Sequence, residues 1–385
     1  MPAVKKVSMK TLAIITHNMS FGGVQRVVKN HIEYFKDNYK ITLILFEKKI
    51  DFKLPEEIEI IFLDERVFDY KKLIQENKNT IVSFGKELFD FRVNSLVSIL
   101  KDKQFDTIIS HEDYNNLITT KTVELLNYKT NLILTSHIQQ DSYKRNFIHL
   151  LDADFYYQSI PIYYRNYKII TVSKGVHDYF YNNYNLETYC IENGVNIKEA
   201  RKQAEEECQE KNFILCIGRI EFVQKGQDDL LKAFKLISKE TDVPLLFIGD
   251  GKDKEKLEKM ILEFNLMNQV RILTFEKNPF KYMKNARVVA FPSYYEGLPN
   301  TILESLAVSA ALVSYDFEPS SNELSKDGYY FPLVKRGDIQ TLGSKLLEVI
   351  TNNSLEEKMR LLSFERAMDY SLDNMLNKWN IVIEK

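Results

Sequence analysis

Glu296 and Glu304 are the pair of residues whose type and spacing most directly suggest binding chemistry. Glu296 lies just after the apolar run that ends at Phe291, and Glu304 follows it by eight residues. Pro299, between them, suits the first turn of a helix, where its missing N–H costs nothing. The pattern predicts a strand, a loop carrying Glu296 and a helix containing Glu304. Carboxylates placed in this way can accept hydrogen bonds from the vicinal hydroxyls of a sugar nucleotide.

Two basic residues follow another predicted strand. Arg219 comes directly after Gly218 at the end of that strand, and Lys225 precedes Gly226 shortly afterwards. Two cations at the carboxyl end of a strand can neutralise a pyrophosphate leaving group. Ligands bind at such strand ends in open α/β sheets, and helix N-termini attract phosphate. Solvated basic and acidic side chains would have the same spacing, so these residues alone leave both interpretations open.

Apolar strands alternate with amphipathic helices along the whole chain, which predicts an α/β protein with parallel sheets. The predicted strands of the first half are 12–16, 41–46, 58–63, 80–83, 107–110, 131–136, 168–172 and 188–191. Those of the second half are 213–217, 244–248, 270–274, 287–291 and 312–315. A charged stretch with few large apolar residues, 198–212, separates the halves. We therefore predict Rossmann-like domains at 1–196 and 197–368.

The predicted C-terminal helix, 369–385, has Met375, Trp379 and Ile383 at helical spacing and could pack back on the N-terminal domain. A length of 385 residues suits two domains, and 44% hydrophobic residues suffice for two cores. A net charge of −2 argues against a nucleic-acid-coating protein. The three cysteines show no metal-ligand spacing and suit a reducing compartment.

No apolar run approaches the roughly 20 residues that span a bilayer. The short apolar run 12–16 follows three lysines, but it is too short for a signal peptide and suits a first strand. We therefore expect a cytoplasmic protein whose membrane contact, if any, is peripheral and on the inner face of the cell membrane. The oligomeric state is left open.

Five motifs occur in the order and near the spacing of a known enzyme family. They are Gly22-Gly23, Asn193-Gly194-Val195, Gly218-Arg219 with Lys225-Gly226, Gly249-Asp250-Gly251, and Glu296-Gly297-Leu298-Pro299 with Glu304. Together they resemble the retaining glycosyltransferases of family four, among the glycosyl transferases of group one. The resemblance implies a GT-B fold, in which two Rossmann-like domains have parallel sheets that face across a cleft. The first domain would bind the acceptor and the second the nucleotide sugar.

The resemblance also implies roles for individual residues. Arg219 and Lys225 would bind the donor diphosphate. Glu304 would accept from the ribose hydroxyls, and Glu296 from hydroxyls of the transferred sugar. Further donor-side positions are Gly249, the backbone of the strand with Val270 and Ile272, and the amides of Gly297 and Leu298.

Histidines after predicted strands are further candidates. His137 follows strand 131–136, and similar enzymes often have a histidine near the transferred sugar, so the implied catalytic set is His137, Glu296, Arg219 and Lys225. His17 and His111 could line the acceptor pocket, together with Gly22 and Gly23. A lone glycine pair lacks the three-glycine dinucleotide fingerprint, so NAD is not expected.

No metal or cofactor is expected, because the resembled family uses fixed cations and the nucleotide sugar is a substrate. Asp152 and Asp154 form an Asp-x-Asp motif, and in a different glycosyltransferase fold this motif binds a metal–nucleotide complex. Here the motif follows a helix-like stretch, 146–151, and not an apolar strand, so metal binding is not expected. The element from Asp316 to Glu323 resembles that of enzymes using UDP-sugars, although its usual glycines are missing.

We therefore expect a retaining hexosyltransferase that uses a UDP-sugar and a saccharide or lipid-linked acceptor. By family analogy, its setting would be bacterial surface polysaccharide, lipopolysaccharide or glycolipid synthesis. Two alternatives stay open. One is a sugar-nucleotide epimerase or hydrolase of the same architecture. The other is a non-catalytic GT-B subunit, against which the presence of Arg219, Lys225 and both glutamates argues.

Overall fold

The computed structural model of this protein describes residues 9–76, 80–138, 147–148, 151–274 and 276–384. The chain divides into two compact units. The first is Met1–Ile191 with Lys378–Lys385, and the second is Glu192–Asn377. The boundary between the units falls between Ile191 and Glu192, whereas the sequence analysis placed it between residues 196 and 197.

The first unit contains a parallel sheet whose strands alternate with helices. Its described strands are β1 (Lys10–Thr16), β2 (Tyr39–Leu45), β3 (Glu59–Phe62), β4 (Thr107–His111), β5 (Asn131–Ser136), β6 (Phe147–Ile148), β7 (Leu151–Asp152), β8 (Lys168–Thr171) and β9 (Tyr189–Cys190). Its described helices are α1 (Gly23–Phe35), α2 (Tyr70–Glu76), α3 (Ile81–Asp102), α4 (Asp113–Leu126), α5 (Ala153–Tyr163) and α6 (Lys174–Tyr184). The sheet order is β3-β2-β1-β4-β5-β8-β9, with all neighbours parallel.

Burial explains why these segments form a parallel sheet with helices packed against it. Leu12, Ala13, Ile14 and Ile15 in β1 are fully buried, as expected for a strand covered on both faces. Helix α1 buries Val27, Val28, Ile32 and Phe35 at helical spacing. Because β1, β4 and β5 are parallel neighbours in the sheet, their carboxyl ends lie side by side at one edge.

Two local predictions for this unit are wrong. Residues 80–83, predicted as a strand, include the start of the long helix α3, which buries Ile81, Leu88, Arg92 and Leu96 on one face. A four-residue apolar run cannot distinguish a strand from a buried helix by periodicity alone. Residues 146–151 are not a helix where they are described, because β6 and β7 pair as antiparallel strands.

The second unit repeats the same architecture. Its described strands are β10 (Ile214–Ile217), β11 (Leu245–Ile248), β12 (Val270–Leu273), β13 (Val288–Phe291), β14 (Leu312–Tyr315) and β15 (Leu333–Val334). The described helices are α7 (Ile197–Ala204), α8 (Phe222–Lys225), α9 (Gln227–Ile237), α10 (Lys254–Glu263), α11 (Phe280–Asn285), α12 (Asn300–Ala307), α13 (Ser321–Ser325), α14 (Ile339–Thr351) and α15 (Asn353–Asp369). The parallel sheet has the order β12-β11-β10-β13-β14-β15, so the ends of β10 and β13 are neighbours.

The last helix, α16 (Leu372–Glu384), begins in the second unit and ends in the first. Within the first unit, Trp379 is only 2% exposed. The side-chain amide of Asn131 donates to the Ile383 carbonyl at 3.0 Å, and the Lys168 ammonium donates to the Val382 carbonyl at 3.1 Å. None of the described helices combines the length and the apolar character that crossing a membrane requires.

Candidate active site

The carboxyl edge of the second sheet carries the candidate donor residues. Gly218 follows β10 with φ 146°, and Gly249 follows β11 with φ 151°. A Cβ atom on Gly249 would lie 2.0 Å from the Gly218 carbonyl oxygen, so only glycine permits this approach of the two loops. The loops that carry Arg219 and Gly249 are thereby packed together at one place on the sheet edge.

Arg219 points outward from this edge while two neighbours orient its guanidinium. Its Nε lies 3.2 Å from Glu221 Oε2, and its Nη2 donates to Gln224 Oε1 at 3.1 Å. The side chain is nevertheless 62% exposed. A planar guanidinium held on one side and open on the other is suited to binding an incoming diphosphate.

Lys225 ends helix α8 and reaches the loop after β13. Its Nζ lies 2.5 Å from Glu296 Oε1, and the two side chains are 20% and 10% exposed, respectively. Gly226 follows with φ 61°, and a Cβ atom there would lie 2.3 Å from the Pro292 carbonyl oxygen. This close approach holds the Lys225 backbone next to the loop that carries Glu296.

The two glutamates occupy the elements that the sequence predicted for them. Glu296 lies in the loop between β13 and α12, where its amide donates to the Glu318 carbonyl at 2.9 Å. Glu304 lies just over one turn into α12 and is buried. Pro299 is the capping residue before α12, and the helix itself begins at Asn300.

The remaining donor-side candidates surround this edge. Val270 and Ile272 lie in β12, an edge strand next to β11, and the Gly249 amide donates to the Leu273 carbonyl at 3.0 Å. Gly297 and Leu298 follow Glu296 directly, and the Leu298 carbonyl accepts from the side-chain amide of Asn193 at 3.2 Å. Thus Gly249, Gly297 and Leu298 lie in loops at the carboxyl edge, while Val270 and Ile272 flank it.

The histidine candidates lie in the first unit, at the carboxyl edge of its sheet. His111 is the last residue of β4, and His137 immediately follows β5. Their rings meet, with His111 Nδ1 and His137 Nε2 3.0 Å apart. Burial lowers the pKa of His137 to about 4, and burial together with the neighbouring histidines holds the pKa of His111 well below its usual value. Both rings are therefore neutral at neutral pH.

His17 follows β1 and belongs to a different group of polar side chains. Its Nε2 lies 3.1 Å from both Glu47 Oε1 and the Tyr70 hydroxyl. Arg92, which is fully buried, donates to Glu47 at 3.1 Å. Burial opposes ionisation of Glu47, but His17, Tyr70 and Arg92 outweigh it and lower the pKa of this carboxyl. Gly22 and Gly23, the capping residue and first residue of α1, are exposed.

Sequence reasoning missed several polar residues near these histidines. Glu47 and Glu112 follow β2 and β4, so the rule that ligand sites lie at strand carboxyl ends could have found them. Glu112 has φ 74°, a strained value for this residue, and its carboxylate accepts from the His17 amide at 3.1 Å. Arg92 was missed because it lies on the apolar face of α3, where a sequence pattern indicates only core.

His31 completes a buried aromatic cluster in the first unit. Its ring lies 4.3 Å from that of Trp379 and 5.3 Å from that of His111, measured between centroids. Neither His31 nitrogen has a hydrogen-bond partner among the described residues. Burial, with a contribution from His137, lowers the pKa of His31 to about 3. The sequence placed His31 on α1 but could not show that α16 covers it.

This cluster should make the protein less stable in mild acid. The pKa values of His31 and His137 are lowered in the folded state, so the unfolded chain binds more protons below about pH 6.5. Each histidine should then cost up to about 1.4 kcal/mol per pH unit as the pH falls towards its folded-state pKa. We expect His31→Gln to reduce this dependence. Urea unfolding of both proteins between pH 8 and pH 4.5 measures it, and parallel stability curves would contradict the prediction.

Comparison with known proteins agrees with this architecture. Residues 197–362 match the family model of the glycosyl transferases group 1. An N-acetylgalactosamine-N,N'-diacetylbacillosaminyl-diphospho-undecaprenol 4-alpha-N-acetylgalactosaminyltransferase from Campylobacter jejuni is 26% identical over 364 residues, or 93% of this chain and 95% of that protein.

Two solved structures show the same fold. Sucrose-phosphate synthase from Thermosynechococcus elongatus has a TM-score of 0.79 at 15% identity, covering 97% of this chain and 98% of that one. HepE from Anabaena in complex with UDP has a TM-score of 0.75 at 15% identity, covering 97% and 99%. The solved structures confirm the predicted fold class, GT-B, and the match of residues 197–362 to the glycosyl transferases group 1 agrees with the predicted resemblance.

Proposed function

We propose that this glycosyltransferase moves a hexose from a nucleotide diphosphate sugar to a saccharide or lipid-linked acceptor, with retention of the anomeric configuration. One observation carries the proposal: two cations, Arg219 and Lys225, converge with Glu296 at the carboxyl edge of the second sheet, beside the helix that buries Glu304. Cations match a diphosphate, and carboxylates match sugar and ribose hydroxyls. The arrangement thus has a group for each polar part of the donor.

The names of similar proteins support the choice of donor and acceptor. The Campylobacter jejuni relative is named for transfer of N-acetylgalactosamine to a diphospho-undecaprenol-linked sugar, and HepE was solved with UDP. We therefore favour a UDP-sugar, with hexoses and N-acetylated hexoses as candidates. A lipid-linked acceptor in bacterial surface glycan synthesis would place the enzyme peripherally at the inner face of the cell membrane.

In the proposed reaction, the bond between the sugar C1 and the diphosphate oxygen breaks while the acceptor oxygen bonds to C1 on the same face. The proton of the acceptor hydroxyl passes to the departing diphosphate oxygen. Arg219 and Lys225 would offset the negative charge that develops on the leaving group, which is the kind of preorganised electrostatic stabilisation that contributes most in many enzymes. Glu296 would orient the hexose, and His137 is the candidate catalytic residue of the first unit.

Screening nucleotide sugars for thermal stabilisation, followed by transfer assays with extracted lipid-linked saccharides, tests this proposal. NMR of the product should show the anomeric configuration of the donor. Consumption of a nucleotide sugar without any acceptor would instead favour an epimerase or hydrolase. If no nucleotide sugar stabilises the protein, the non-catalytic alternative gains support.

Transfer should not depend on a divalent metal ion, because Arg219 and Lys225 supply fixed positive charge. We expect activity in excess EDTA to stay within about twofold of the untreated rate. The alternative metal site is the Asp152–Asp154 pair, but the Asp152 carboxylate caps α5 by accepting from the Phe155 amide at 3.0 Å. Loss of activity with EDTA, restored by manganese or magnesium, would contradict the prediction.

A further inference from the structure

The cations of the proposed donor site are paired with carboxylates of the same site. Lys225 pairs with Glu296 at 2.5 Å, and Arg219 lies 3.2 Å from Glu221. Glu221 also pairs with Lys252, which follows the Gly249-Asp250-Gly251 turn. Three cations are thus partnered by two carboxylates. A diphosphate can use these cations fully only if some of these pairs open.

The two sides of the site differ in accessibility. The Arg219 side chain is 62% exposed, so an anion can approach it while its contacts to Glu221 and Gln224 persist. Lys225 and Glu296 are 20% and 10% exposed, so water screens their attraction only weakly. The ammonium of Lys225 is therefore the cation for which an internal carboxylate competes most directly with the donor diphosphate.

Only side chains need to move for the Lys225–Glu296 pair to open. The Tyr294 amide donates to the Gln224 carbonyl at 2.8 Å, and the Glu296 amide donates to the Glu318 carbonyl at 2.9 Å. The Tyr294 hydroxyl is anchored on Asp229 at 2.5 Å. The backbones on both sides of the ion pair are thus tied in place, and rotation about side-chain bonds is the available change.

On the donor site proposed above, we infer that Glu296 is an internal competitor for Lys225 that exchanges partners when a complete nucleotide sugar binds. Lys225 leaves Glu296 for the diphosphate, and Glu296 takes a hexose hydroxyl in return. A nucleoside diphosphate without the sugar offers Glu296 no such hydroxyl, so its binding leaves a poorly solvated carboxylate beside a diphosphate. Such a site binds the whole donor in preference to the product nucleotide and promotes release of that product.

Binding of UDP, measured by isothermal titration calorimetry at fixed ionic strength, tests the exchange. Glu296→Gln keeps the size of the side chain but removes the competing charge, so we expect it to bind UDP about five- to thirtyfold more tightly than the wild type. The same variant should show stronger product inhibition by UDP. Glu348→Gln is the matched control: it removes an exposed carboxylate paired with Lys345 on helix α14, and we expect UDP affinity within about twofold of the wild type.

A double-mutant cycle locates the effect on Lys225. In a Lys225→Met background, Glu296→Gln should no longer tighten UDP binding, because the competition has no cation left to act on. If Glu296→Gln alone binds UDP no more tightly than the wild type, the partner exchange is wrong while the donor site stands. If the wild type binds none of UDP, GDP and ADP, the proposed donor site is wrong, and the proposed partner exchange is then wrong as well.

Discussion

Arg219→Ala and Lys225→Ala are each expected to lower kcat by about 30- to 1,000-fold, because each removes the proposed charge-assisted contact to the leaving diphosphate, worth roughly 2–4 kcal/mol in the transition state. Lys225→Ala should be the more damaging change, since the Lys225 side chain is 20% exposed and that of Arg219 is 62% exposed, so water screens the charge of Lys225 less. Steady-state kinetics at saturating donor and acceptor measures both effects.

Lys345→Ala provides a matched control for these variants. Lys345 pairs with Glu348 one turn along α14, and its side chain is 43% exposed. Removing such a surface pair changes stability by at most about 1 kcal/mol, and we expect kcat to stay at the wild-type value. Circular dichroism should show that all three variants are folded. Near-wild-type kinetics in both Arg219→Ala and Lys225→Ala would refute their assignment to the diphosphate.

Glu304→Ala and Glu296→Ala should separate nucleotide binding from sugar transfer. Glu304, just over one turn into α12, is assigned to the ribose, so its loss should weaken UDP binding more than tenfold, given about 1.5–3 kcal/mol for a hydrogen bond to a charged group. Glu296 is assigned to the hexose, so its loss should lower the transfer rate more than tenfold without weakening UDP binding.

Calorimetry with UDP, combined with transfer assays on the same preparations, decides between these roles. UDP lacks the sugar and therefore reports only on contacts to the nucleotide. If Glu296→Ala lost UDP affinity while Glu304→Ala retained it, the two assignments would be reversed. If neither variant changed binding or transfer, the paired glutamates would have no part in donor recognition.

The succession of parallel strands and the edge that carries the donor candidates could be predicted from sequence. Strand and helix periodicities are local, and the carboxyl ends of parallel strands necessarily share one edge of a sheet. Arg219 after β10 and Glu296 after β13 were therefore recognisable as neighbours of a ligand site. Glu304 was likewise correctly placed within a helix.

Short apolar segments were the weak point of that reasoning. Residues 80–83 contain Ile81 and Val82, which suit a strand, yet they begin α3 because Ile81 continues a buried helical stripe through Leu88. Tertiary packing decides such cases, since a run of four residues carries too little periodic information. Arg92 could not be identified from the sequence either, because its partners Glu47 and Tyr114 come from other elements.

By itself the sequence determined the fold class, the resemblance to group 1 glycosyl transferases and the position of the candidate donor residues at strand ends. Only the tertiary structure decided which of those residues touch: Lys225 and Glu296 are 71 positions apart, and they meet because the sheet order puts β10 beside β13. Likewise, His31 and Trp379 meet only because α16 returns to the first unit. Periodicity records which face of an element is buried, whereas contacts between distant residues depend on how the elements are ordered in space.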